Sequence, residues 1–182
     1  MRKSIYTTVV LLFALASVAN AQLYSVKKGS IYFRSDAPLE LITAKSEELR
    51  GKFDVTKKMF AFAVNISSFA GFNSPLQKEH FNENYMESNL YPTASFSGKI
   101  IEDINFTTDG TYSIRAKGNL TVHGVVQERI IKVELTIKDG KINVASNFTV
   151  LLSEHNIPIP KVVHEKLASE IKVEVKAELA AS

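Results

Sequence analysis

The sequence contains no cysteine and no tryptophan, and it has only 5 prolines and 8 glycines among its 182 residues. The absence of cysteine excludes disulfide bonds, a thiol nucleophile and the lipid-linked cysteine of a bacterial lipoprotein. The fold must therefore be stabilised by a hydrophobic core and hydrogen bonds, without covalent cross-links.

Common catalytic motifs are also missing. There is no Gly-rich phosphate loop, no Gly-x-Ser-x-Gly elbow and no His-Glu-x-x-His zinc helix. The four histidines, His80, His123, His155 and His164, are scattered along the chain without metal-ligand spacing. We therefore expect that the protein is not an enzyme and that it has no metal site and no cofactor.

The N-terminal segment, Met1 to Ala21, has the features of a cleaved secretory signal peptide. Arg2 and Lys3 precede an apolar run, and small residues follow it. The run is too short to span a bilayer, so no transmembrane anchor is expected. Without this segment the basic residues fall from 22 to 20, against 19 acidic residues. Such a balanced charge argues against a nucleic-acid partner, and residues 22–182 are the length of a single domain.

From residue 23 onward, apolar residues alternate with polar ones, which is the period of a strand with one buried face. The clearest stretch is at the C-terminus, where Ile171, Val173, Val175, Ala177 and Leu179 alternate with charged residues. Similar alternation occurs in residues 58–66, 112–122, 131–137 and 142–152, although the polar pair Ser146 and Asn147 interrupts the last of these runs. The pattern predicts an all-β fold.

Short turn signals separate these strands. Asp109-Gly110 and Asp139-Gly140 each lie between two alternating segments, and His123-Gly124 can act in the same way. Residue pairs of this kind tolerate the positive φ angles of tight hairpins. Consecutive hairpins make antiparallel strands, which close into a barrel or stack as a sandwich.

Helical signals are confined to two segments. Ser74 before Pro75 is an N-terminal cap, and Gln77 can return a hydrogen bond to that cap. A short helix is predicted from Pro75 to about Glu83. A second short helix is predicted from Lys161 to Leu167.

The stretch "NLYPTASFSGKI", residues 89–100, raises the question of what the interior contains. Tyr91-Pro92 is typical of strand entry, and Ala94, Phe96 and Gly98 then share one face. The small residues beside Phe96 favour free space. An eight-stranded barrel can be filled by side chains or can hold one small ligand, and the pattern alone does not separate these cases.

Two blocks of the sequence, Phe60 to Ile100 and Gly118 to Leu135, resemble the YceI-like family of bacterial polyisoprenoid-binding proteins. The shared features are Ser68-Phe69 before the helix, His80-Phe81 at its end, the Tyr91-Pro92 strand entry with Phe96, and Leu120-Thr121 followed by Gly124. The resemblance extends over nearly all of the chain after residue 21.

The resemblance implies a lipocalin-like, closed antiparallel β-barrel of about eight strands with one or two short helices, whose interior holds a long isoprenoid chain. The expected ligand is a polyisoprenoid or an isoprenoid quinone-like lipid, and the expected location is periplasmic or secreted. Ten inward positions are predicted to contact the ligand: Phe60, Phe62, Val64, Phe96, Ile114, Leu120, Ile131, Leu135, Phe148 and Val150. Four aromatic residues are predicted to line or cap one mouth: Phe69, Phe72, Phe81 and Tyr85.

Two other functions stay open at this point. An enzyme could act on an apolar substrate inside the barrel, with His123 or His155 as the general base and a carboxylate beside it at the cavity wall. A protein with a filled core could instead work through its surface. The identity of the lipid and the formation of a homodimer are left open by the sequence.

Overall fold

Nine β-strands form most of the part of the chain, residues 22–182, that the computed structural model describes. Their bounds are β1 Leu23–Asp36, β2 Leu41–Ser46, β3 Arg50–Asp54, β4 Met59–Asn65, β5 Thr93–Ile100, β6 Gly110–Val122, β7 Val125–Lys138, β8 Lys141–Leu151 and β9 Glu170–Ala181. The all-β prediction is confirmed. The predicted signal peptide, residues 1–21, lies outside the described residues.

The strands form a closed antiparallel barrel. Each strand from β3 to β9 pairs with the next, and β9 returns to pair with β1 along residues 24–34. The other edge of β1 pairs with β3 through residues 23–25 and with β2 through residues 31–36. Strands β2 and β3 therefore share one position in the wall. The nine strands thus form an eight-stranded barrel with one extra strand.

Two of the three predicted tight turns are confirmed. Asp139-Gly140 and His123-Gly124 each connect adjacent strands with two residues, and all four residues have positive φ angles between 50° and 72°. The prediction for Asp109-Gly110 is wrong. Strand β5 ends at Ile100, so the connection to β6 spans residues 101–109, and Gly110 begins β6 with an extended φ of 159°.

One end of the barrel, which we call the packed end, is filled by side chains. The long β5–β6 connection folds Phe106 against Phe53, with ring centroids 5.1 Å apart. Tyr24, Ile137 and Ile142 surround this pair, and all five residues are buried. The β5–β6 connection, which the sequence pattern did not predict, therefore closes this end of the barrel.

The opposite end, which we call the open end, carries the longest connections. Residues 66–92 join β4 to β5, and residues 152–169 join β8 to β9. The first contains helix α1, Pro75–His80, which continues as a π-helical turn from Phe81 to Tyr85. The second contains two short 3-10 turns, Leu152–His155 and Lys161–Val163, in place of the predicted helix from Lys161 to Leu167. No helix in residues 22–182 has the length and apolar character needed to cross a membrane.

The start of α1 follows the predicted capping pattern with one difference. The backbone N–H of Gln77 donates to Ser74 Oγ at 3.1 Å, as expected for an N-cap. The side chain of Gln77 does not return to the cap residue. Its Oε1 accepts instead from the backbone N–H of Asn73 at 3.0 Å, and its Nε2 donates to Glu40 at 2.9 Å. The helix is thereby fixed to the β1–β2 connection.

Candidate functional site

A cavity of about 570 Å³ occupies the barrel interior. It extends from Phe53 and Leu179, just above the packed end, to Leu76 and Lys166 at the open end. This volume is within the range of about 300–1,000 Å³ that is usual for small-molecule sites. The strands therefore enclose a hollow that is open toward α1.

Several side chains point inward and are nevertheless only partly buried. Phe62, Phe96 and Phe148 all line the cavity, and each keeps part of its surface exposed. The same holds for Val173 and Val175 on β9. In a filled core these positions would be in contact with other side chains on every side. Their exposure shows that the protein's own residues do not fill the interior.

All fourteen residues that the sequence predicts as ligand contacts lie on the cavity wall. The ten inward positions are Phe60, Phe62, Val64, Phe96, Ile114, Leu120, Ile131, Leu135, Phe148 and Val150, and the four mouth positions are Phe69, Phe72, Phe81 and Tyr85. The structure thus brings both sets together around one space. Their contact with a lipid stays a prediction.

Sequence reasoning missed Phe33, which lies at the centre of an aromatic cluster near the open end. Its ring centroid is 5.4 Å from those of Phe69 and Phe81 and 6.0 Å from that of Phe72. These four residues form the aromatic cluster. The signal was present, because Ile31, Phe33 and Ser35 alternate with Tyr32 and Arg34 in β1.

The inner face of β9 was also missed as part of the site, although its alternation is the clearest in the sequence. Ile171, Val173, Val175, Ala177 and Leu179 all line the cavity. Two of them pair with predicted residues on the adjacent strand β8: Val173 pairs with Phe148, and Ile171 pairs with Val150.

The π-helical turn after α1 positions two of the predicted mouth residues. Its widened geometry is visible in the hydrogen bond from the N–H of Met86 to the carbonyl oxygen of Phe81, at 2.9 Å. Phe81 and Tyr85 start and end this turn, and both line the cavity. Burial raises the pKa of Tyr85 above its ordinary value. Because the ordinary pKa of a tyrosine is already about 10, the phenol is protonated at neutral pH and can donate a hydrogen bond.

Polar groups in the cavity wall are concentrated near the open end. Glu40, Ser74, Gln77, His80 and Lys166 border the mouth. Deeper in the barrel, Ser146 donates to the carbonyl oxygen of Lys132 at 2.7 Å. Ser35, close to the end of β1 at the open end, accepts from the N–H of Ala168 at 2.9 Å. The cavity is therefore apolar in its depth, and most of its polar groups lie at the mouth, next to apolar side chains such as Leu76 and Val163.

Ser146 also corrects the interpretation of β8. In the sequence it interrupts an apolar run, yet β8 continues through it and its side chain is buried on the inner face. Its hydrogen bond to the adjacent strand offsets the cost of burying a hydroxyl.

Gly98 does not create the free space beside Phe96 that the sequence favours. It pairs with Gly118 on β6, and a Cβ at Gly98 would lie 2.1 Å from the carbonyl oxygen of Lys117. The two glycines allow the backbones of β5 and β6 to approach closely. The prediction of space at this stretch is right, and Ala94 does line the cavity beside Phe96. The part of the reasoning that assigned space to Gly98 is wrong.

His123 and His155 lie in the connections of the open end and do not line the cavity. The Nε2 atom of His123 is 2.7 Å from Glu87 Oε2, and its Nδ1 is 3.0 Å from the carbonyl oxygen of His155. His155 is fully buried, with Nδ1 3.2 Å from the carbonyl oxygen of Val125. A carboxylate partner is present, but it is not at the cavity wall. The two histidines join the β4–β5, β6–β7 and β8–β9 connections.

The family features quoted from the sequence meet in this same region. The ring of His123 packs against Tyr91, with centroids 4.6 Å apart. Gly124 has a φ of 71°, and a Cβ there would lie 2.5 Å from the Tyr91 ring. Tyr91 of the Tyr-Pro pair therefore packs against the β6–β7 turn, and Gly124 leaves the room that its ring needs.

Comparison with known proteins agrees with this architecture. Similar solved structures include a polyisoprenoid binding domain from Saccharophagus degradans implicated in plant cell wall breakdown, with a TM-score of 0.74, 12% identity, and coverage of 87% of this chain and 98% of that chain. BcnA from Burkholderia cenocepacia gives a TM-score of 0.66 at 14% identity, covering 82% of this chain and 95% of that chain. The YceI protein of Campylobacter jejuni gives 0.54 at 18% identity, covering 100% and 99%.

At these identities the similarity shows a common fold. A search of curated protein sequences gave no match. The model of the YceI-like domain, in contrast, matches residues 26–179, which include all nine strands in whole or in part. The protein therefore belongs to the YceI-like family.

Proposed function

We propose that this protein is a non-enzymatic carrier that holds an isoprenoid or a similar amphiphilic lipid in the barrel cavity. The observation that carries the proposal is the hollow itself: about 570 Å³ of space with an apolar depth and with polar groups at its mouth. An amphiphile with a long hydrocarbon tail has the complementary distribution of polarity. Its tail would lie toward Phe53 and Leu179, and its head group would lie near Gln77 and Lys166.

The energetics of burial favour such a ligand. An isoprenoid tail has no polar group for hydrogen bonding, so an apolar cavity binds it by removing its surface from water. At about 0.8 kcal/mol per buried carbon, one five-carbon unit contributes about 4 kcal/mol before the costs of ordering. A few units are enough for tight binding. No catalytic group is required.

The comparisons support this assignment at the level of the family. One solved structure with this fold is named a polyisoprenoid binding domain. The signal-like N-terminal segment supports export, and an exported lipid carrier would work in the periplasm or outside the cell. The interior positions of Phe62, Phe96 and Phe148 supply the apolar contacts in this proposal.

The proposal is tested by identifying what copurifies with the protein. The full-length chain is expressed in a bacterium, the purified protein is extracted with organic solvent, and the extract is analysed by mass spectrometry. We expect an isoprenoid, or a related lipid with a long tail. The absence of lipid, together with failure to bind added polyprenyl and quinone compounds, would refute the proposal.

Two neighbouring residues on β9 supply a matched pair of variants. Val173 points into the cavity opposite Phe148, whereas Lys172 is exposed on the outer surface. Val173→Trp should reduce the amount of bound lipid because the indole occupies the space of the tail. Lys172→Trp introduces the same side chain on the other face and should leave the lipid content unchanged. Equal lipid content in the two variants would contradict binding inside the barrel.

A further inference from the structure

Large exposed apolar side chains border the mouth of the cavity. Val162 is 88% exposed, Leu39 is 66% exposed and Leu76 is 56% exposed, and Leu41 is also exposed. They lie on three segments, residues 37–41, 73–80 and 160–167, which we call the rim. Exposed apolar side chains scattered singly over a surface are ordinary, but several around one opening call for an explanation.

The rim is one connected surface. The N–H of Leu39 donates to the carbonyl oxygen of Glu165 at 2.8 Å. Asn73 Nδ2 donates to the carbonyl oxygen of Leu41 at 2.9 Å. Together with the hydrogen bond between Gln77 and Glu40, these contacts fix the three segments to each other.

The apolar surface of the rim is continuous with the cavity. Leu76 lines the cavity and is also exposed to solvent. Val163 lines the cavity, and the neighbouring residue Val162 is the most exposed of the large apolar side chains in residues 22–182. A hydrocarbon tail that left the cavity here would pass over apolar surface.

From this continuity we infer that the rim docks onto the surface of a phospholipid bilayer, so that the lipid passes between membrane and cavity without crossing water. The inference rests on the proposed function, because it assumes that the cargo is a membrane lipid. Such a cargo is nearly insoluble, and direct contact with the bilayer avoids exposing its tail. Shallow insertion of Val162, Leu39 and Leu76 into the interface provides that contact.

The composition of the rim favours a bilayer over a second copy of the chain. The core of a protein interface is enriched in aromatic residues and depleted of lysine and glutamate. The rim has four exposed aliphatic side chains, no Phe, Tyr or Trp, and three lysines and three glutamates. A bilayer accepts this composition, because a few aliphatic side chains can insert while the charged groups stay in the head-group layer.

Charge indicates which force dominates the docking. The rim carries three lysines, Lys78, Lys161 and Lys166, and three glutamates, Glu40, Glu79 and Glu165. This balance gives no net attraction to anionic lipid. Lys161 and Lys166 flank the Val162 turn and can keep their ammonium groups in the head-group layer while that turn inserts. Docking should therefore depend weakly on salt.

The test is vesicle flotation of the full-length protein with phosphatidylcholine vesicles, at low and at high salt. The rim variant combines Leu76→Asp with Val162→Asp. The control combines Val126→Asp with Ile130→Asp on the outer face of β7, where these residues are 55% and 57% exposed. Circular dichroism and thermal unfolding verify that both variants are folded.

We expect the wild-type protein and the control to float with the vesicles, and the rim variant to lose binding by about tenfold or more. Docking is overturned if the wild-type protein does not float, if rim and control variants behave alike, or if binding vanishes at high salt. A change of molar mass in the rim variant, measured by light scattering, would identify the rim as an interface between copies and would also overturn it.

Mass spectrometry of the same wild-type preparation separates this inference from the proposed function. Lipid in the protein without flotation would refute docking alone. Flotation of a protein that contains and binds no lipid would refute the carrier function and leave the docking surface in place.

Discussion

Replacing Phe96 by tryptophan tests directly whether the interior is hollow. Phe96 lies on β5 with its ring 5.0 Å from that of Phe60, and it faces the cavity with part of its surface accessible. In register, it pairs with Phe62 on β4 and Leu120 on β6. The larger indole can therefore extend into the cavity without displacing a neighbouring strand.

The expected magnitude follows from the space around the ring. Forcing extra atoms into a packed core costs about 1–3 kcal/mol, because neighbouring side chains leave their preferred rotamers. With about 570 Å³ of empty space beside Phe96, the change in the free energy of unfolding should stay below about 1 kcal/mol. Phe106→Trp is the matched control. Phe106 is buried at the packed end against Phe53, so the same exchange there should cost about 1–3 kcal/mol.

The assay is urea denaturation followed by circular dichroism for the wild-type protein and both variants. A second signal is available because the natural sequence has no tryptophan, so the indole at position 96 is the single such fluorophore. Addition of a polyprenyl compound to lipid-free protein should change its emission, since the ligand displaces water from the ring. The indole at position 106 should not respond.

Equal destabilisation by Phe96→Trp and Phe106→Trp would refute the hollow interior, because it would show that both rings lie in packed surroundings. An unchanged emission at position 96, in a variant that still takes up the added lipid by mass spectrometry, would refute binding beside Phe96.

Two further predictions concern the contacts of β6 with β5 and with the β5–β6 connection. Gly98→Val should lower the free energy of unfolding by about 3 kcal/mol or more, because its Cβ would lie 2.1 Å from the Lys117 carbonyl oxygen and separate β5 from β6. The control is Gly140→Ala, where the added Cβ has no atom within 4 Å and φ is 72°, and this change should cost only about 1–2 kcal/mol in the same denaturation experiment. Equal losses would contradict the close approach of the strands. Hydrogen bonds from the backbone N–H of Arg115 at 2.6 Å and from its Nε at 2.7 Å hold the pKa of Glu102 below its ordinary value. The stability that this carboxylate contributes is therefore present above the unfolded pKa of about 4.3 and is lost as the pH falls through the lower folded pKa. The urea midpoints of the wild-type protein and Glu102→Gln should differ near neutral pH and converge in acid. A difference that persists in acid would show that the ionised carboxylate is not its source.

The sequence predicts the wall of the barrel better than its ends. Alternation identifies the inner face of each strand, so Phe62, Ile114 and Phe148 are placed correctly on the cavity wall. Side chains of a β-strand have a period of two, and this holds whether the inner face meets protein or empty space. Connections have no such period. For this reason Phe106 in the β5–β6 connection and the Glu87–His123 pair at the open end could not be predicted from pattern.

The connections at the two ends of the barrel decide which part of the interior is filled and which part is hollow. At the packed end, Phe106 reaches inward from a loop and meets Phe53, so side chains from strands and loop together fill the cross-section. At the open end, the helix and its π-helical turn place Phe81 and Tyr85 in the wall and leave the centre free. The inward strand residues are mostly apolar at both levels. Whether the interior holds a ligand is thus decided by the connections, and this explains why strand alternation alone did not separate a packed core from a cavity.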